Sequence, residues 1–79
     1  MNKSLLELLK AEDLALYGYQ SKHDLEMDAL KMVEEAPETI KDVFQERADD
    51  YHKEAIEAEK RLLSIRKEIK EYFEYIGKL

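Results

Sequence analysis

Two seven-residue ladders run through the second half of this chain, and neither contains a charged residue. One holds Phe44, Tyr51, Ala58, Ile65 and Tyr72, and the other Ala48, Ala55, Leu62, Ile69 and Ile76. Steps of four and three bring such positions to one side of an α-helix, because about 3.6 residues make a turn. Charged residues are 41% of the sequence, so ten uncharged positions in a row mark a buried stripe. The pattern limits the chain to one architecture, a long helix packed lengthwise on other helices.

Composition narrows this further. Two glycines and one proline in 79 residues leave too few turn formers for a sheet. The length allows one domain, residues 1–79, near the lower limit at which a hydrophobic core suffices alone. There is no cysteine, so neither a disulfide nor a thiolate metal site can form. The most apolar stretch, near the N-terminus, is interrupted by Glu7, Lys10, Glu12 and Asp13, which speaks against a membrane span or a secretory signal. A cytoplasmic location is expected. The net charge of −6 argues against nucleic acid as a partner, since binding it needs a basic face to displace counterions.

Three pairs carry helix-start chemistry: Ser4 with Glu7, Ser21 with Asp24, and Thr39 with Asp42. Pro37 suits the first turn of a helix, where its missing N–H costs nothing. The reading is a helix over 4–35, a turn at 36–38 and a second helix over 38–76, roughly 57 Å long, stopped by Gly77. A break near Gly18 and Ser21 is the alternative for the first helix. Continuity is preferred, because Leu9, Leu16, His23 and Leu30 keep a seven-residue phase across it. So do Leu5, Tyr19 and Val33, with Glu12 and Glu26 at the intervening steps.

The two helices then form an antiparallel hairpin in which residues whose numbers add to about 74 lie level. Both carry more apolar surface than one helix pair can cover. A homodimer closing a four-helix bundle would bury the remainder. From Glu34 to Glu59 there are ten acids against three bases, and from Lys60 onward six bases against three acids. Antiparallel pairing of two copies places the basic stretch beside the acidic turn of the other.

One cluster invites a metal. Asp49 and His52 are three apart on a helix, and the hairpin alignment brings His23 to their level, with Glu26, Glu12 and Asp50 as further carboxylates. The stretch from Glu12 through Ala15 to Tyr19, followed by Ala48-Asp49-Asp50-Tyr51-His52, resembles the ferritin-like carboxylate proteins. Those pair a helix-borne Glu with a Glu-x-x-His, and here Asp49 replaces the Glu. The alternative this cluster offers is zinc or iron held by His23, Asp49 and His52, with Glu26 or Glu12; otherwise no cofactor is expected.

A second candidate is the C-terminal set Tyr72, Phe73, Tyr75 and Leu79, which points in several directions around the last turns and suits a protein partner. No nucleophile stands beside a base, and no glycine-rich phosphate loop exists, so an enzyme is not expected. The function read from the sequence is a non-enzymatic interaction or regulatory module working as a helical homodimer. A metal-binding bundle is the alternative.

Overall fold

The computed structural model describes residues 4–78. They form a helical hairpin of two elements, α1 (Leu5–Glu35) and α2 (Lys41–Gly77). Ser4 opens α1 as expected: its backbone is extended and its side-chain oxygen accepts from the Glu7 N–H at 3.2 Å. Ser21 and Asp24 lie inside the helix, so they start nothing, and α1 passes through Gly18 unbroken. A Cβ added at Gly18 would meet no atom within 4 Å. Gly18→Ala is therefore expected to raise stability by about 1 kcal/mol, read as a higher midpoint in thermal melting.

Pro37 ends α1. Its ring disfavours helical backbone in the residue before it, and Ala36 accordingly takes φ −73°, ψ 143°. The connection is longer than the sequence suggests. Ile40 donates to Pro37 and Val43 donates to Ile40, both at 3.1 Å, so the chain makes single turns before α2 begins at Lys41. Thr39 and Asp42 do not form a capping box, since Ile40 occupies the cap position without a side-chain hydrogen bond. At the other end α2 runs to Gly77, which takes no left-handed conformation.

Three ion pairs fix the register between the helices: Glu12 with Arg66 at 3.1 Å, Lys22 with Glu54 at 3.3 Å, and Glu26 with His52 at 2.6 Å. The residue numbers in each pair add to 76 or 78, so level positions add to about 77. This is one turn away from the expected alignment, because the five-residue connection shifts α2 along α1. Val33 is level with Phe44. Tyr19 comes level with Ala58, Ala15 with Leu62, and Leu8 with Ile69.

The buried positions of α2 are those of the two ladders. Ala48, Ala55 and Leu62 are buried, and Phe44, Tyr51, Ala58, Ile65, Ile69 and Tyr72 are half-buried. Ile76 is exposed, because α2 continues past the level at which α1 begins. On α1 the contact line follows the other phase available to it: Leu5, Leu8, Glu12, Ala15, Tyr19, Lys22, Glu26, Ala29 and Val33. Leu9, His23 and Leu30 lie outside that line and are exposed. Ala29 and Ala48 are level and both buried, so no side chain beyond Cβ separates the helices there.

The hairpin is a thin rod. Its extents are 63 × 16 × 14 Å and its radius of gyration is 17.8 Å, against about 12 Å for a compact chain of this length. Its accessible surface is 6323 Å², where a compact protein of its mass would show about 5,000 Å². The excess follows from the elongated shape.

Candidate functional site

The rod has two long faces, distinguished by which ion pairs they carry. Glu12–Arg66 and Glu26–His52 lie on one, here the first face; Lys22–Glu54 lies on the other, the second face. Seven-residue spacing assigns the flanking residues. Leu6, Leu9, Leu16, Met27 and Leu30 of α1 line the first face with Ile56, Leu63 and Phe73 of α2. Leu14, Leu25 and Met32 belong to the second face, with Val43 and Tyr75. Of these thirteen, all but the half-buried Leu16 are exposed large apolar side chains.

The first face is the greasier one, and the two carboxylates on the helix contact beside it, Glu12 and Glu26, are paired. Glu26 sits on the contact line level with Tyr51, its side chain 14% exposed, and its Oε2 meets Nδ1 of a His52 that is 58% exposed. Glu12 is likewise held by Nε of Arg66. The second face carries a shallow groove of about 230 Å³ lined by Gly18, Lys22, Glu54, Glu57, Ala58 and Arg61. It lies where Gly18 and Ala58 leave room between the helices. Four of its six lining residues are charged.

The residues read as metal ligands are distributed differently. His52 faces Glu26. Asp49 accepts from Nε2 of Gln45 on its own helix at 3.0 Å. His23 stacks at a tilt on Tyr19, their ring centres 6.0 Å apart, again on its own helix. The register explains the separation: His23 comes level with Glu54, while Asp49 lies a turn and a half nearer the connection. Among the described residues no group of three or more His, Asp or Glu side chains is placed to hold a metal ion. Glu26 and His52 supply two donors where zinc takes four ligands.

The C-terminal set divides among three directions. Tyr72 is half-buried on the contact line and meets Phe73 edge-on, with ring centres 6.3 Å apart. Phe73 turns to the first face and Tyr75 to the second, both more than half exposed. Leu79 lies outside the described residues. Among the described residues no helix is long and apolar enough to cross a membrane.

Sequence reasoning missed Glu12–Arg66 and Lys22–Glu54. The signal was present, since Glu12 and Glu26 occupy the same seven-residue phase as Leu5, Tyr19 and Val33. Reading that phase as the contact line would have turned both carboxylates toward α2.

No protein-family model, curated protein or solved structure matches this chain.

Proposed function

We propose that the chain is a non-enzymatic protein-interaction module, a hairpin that self-associates into a four-helix bundle and presents its remaining surface to another protein. One observation carries the reading: a rod with an accessible surface of 6323 Å² leaves large apolar side chains uncovered along both faces. Fully burying such a side chain from water gains roughly 1.5–3 kcal/mol, and these, 38–75% exposed, stand to gain about half of that. Several of them together exceed the cost of immobilising a second molecule. The paired carboxylates support the same reading, because Glu12 and Glu26 bring no unmatched charge into an interface.

The test is mass in solution. Light scattering across a hundredfold dilution series is expected to give about twice 9.4 kDa at the higher concentrations. A constant monomer mass throughout would remove the proposal.

If one face closes the dimer, the other remains for a partner, and Leu14, Val43 and Tyr75 are its most exposed large apolar residues. Tyr75→Ala combined with Leu14→Ala should release proteins that co-purify with the wild-type chain while leaving the dimer mass unchanged. Retention of every such protein would mean that this surface recruits none of them.

A further inference from the structure

We infer that the first face is a self-complementary surface onto which a second copy of the chain docks head to tail, the connection of each hairpin against the open end of the other. The inference rests on the dimer proposed above and adds to it the face and the direction.

The face follows from apolar content. Leu9, Leu16, Leu30, Ile56, Leu63 and Phe73 spread along it from the open end to within a few turns of the connection. The second face has fewer large apolar residues and is crossed by Arg47, Glu54, Arg61 and Glu68 at successive seven-residue steps. Docking through the second face would desolvate those four charges, whereas the matching row of the first face, Gln45, His52, Glu59 and Arg66, holds two formal charges.

Area agrees. The 31 residues of α1 span about 46 Å, and the rod is about 16 Å wide, so the face offers roughly 750 Å² per copy. Two such faces total about 1,500 Å², within the usual size of a stable specific interface.

Direction follows from charge. Residues 20–57, the half nearer the connection, hold twelve acids against five bases, while the other described residues hold seven of each. Docking in the same direction would stack two halves of net charge −7 over a distance that salt does not fully screen. Head-to-tail docking sets each acidic half against a neutral one. With the two rods fully overlapped, Ile56 lies near the twofold axis. Asp49 then comes to the level of Arg66 in the other copy, Asp42 to that of Lys70, and Leu30 to that of Leu9.

Cysteine cross-linking tests face and direction together, and the chain has no cysteine of its own to interfere. Single variants Ile56→Cys, Leu9→Cys, Leu30→Cys and, on the second face, Leu14→Cys are oxidised with copper phenanthroline. Circular dichroism first checks that each is as helical as the wild type. Ile56→Cys should form a covalent dimer on the order of a hundredfold faster than Leu14→Cys, because docking raises the effective thiol concentration from about ten micromolar to about one millimolar. Leu9→Cys and Leu30→Cys should link when mixed and scarcely at all alone. Rapid self-linking of Leu9→Cys would show same-direction docking and overturn the inference. Linking fastest at Leu14→Cys would move the interface to the second face. A reduced sample that scatters as a monomer would instead remove the dimer itself, so the two failures are distinguishable.

Discussion

Leu62→Ala is expected to cost about 3 kcal/mol, enough to lower the thermal midpoint by roughly 12 °C or more. Leu62 is one of two large side chains among the buried residues, at 3% exposure, and it comes level with Ala15 in the middle of the rod. With alanine already opposite, truncation leaves two methyl groups facing each other across a gap that neither helix fills. Thermal melting by circular dichroism measures the effect. The control is Leu14→Ala, at a position 75% exposed on the second face, which should move the midpoint by less than about a fifth as much. Equal losses at both positions would mean that the helices do not meet along the line described here.

The largest effect of opposite sign is expected at the polar positions of that line. Changing Glu12, Lys22 and Glu26 together to leucine removes three partly buried charges from between the helices. The partners left behind, Arg66, Glu54 and His52, are 48–58% exposed and pass to water, so apolar side chains on the contact line should stabilise by about 1–3 kcal/mol. The gain should come with a loss of definition. Each polar side chain has one partner at one level, so a slipped helix would leave it stranded. Leucine pairs with any apolar neighbour. The triple variant should therefore melt higher in urea and show a mixture of masses where the wild type shows one. A lower midpoint would mean that the ion pairs add net stability of their own.

How much of this was legible in the sequence depended on which helix was read. The contact line of α2 could be written down in advance, because nine of its ten ladder positions are buried or half-buried and carry no charge. On α1 two phases competed. Leu9, Leu16 and Leu30 make one and Leu5, Tyr19 and Val33 the other, and the sequence did not choose between them; the helices meet along the second, which brings Glu12 and Glu26, with Lys22 beside them, into the contact. Hydrophobicity alone ranks these wrongly. A long charged side chain can lay its methylenes across an alanine such as Ala55 and still carry its charge to a partner at the edge. The displaced leucines remained outside, and they now supply the first face.

The candidate metal cluster depended on the same alignment. Moving the level by a single turn separates Asp49 from His23, while Glu26, named only as an auxiliary ligand, meets His52 directly. The cap at Ser4 could be recognised from local chemistry, since it involves only residues within one turn. The connection could not. Pro37 identifies where α1 stops, but successive turns through Ile40 depend on how the two helices settle against each other.

The cross-helix pairs recur at intervals along a rod 63 Å long, and each joins residues that are neighbours only through the connection behind them. Such a molecule can change its span without changing its chemistry. Removing seven residues from α1 and the seven facing them in α2 would shorten it by about 10 Å and return every surviving pair to its mate. Reach is thus a quantity this design can adjust in equal increments, much as a telescoping strut does.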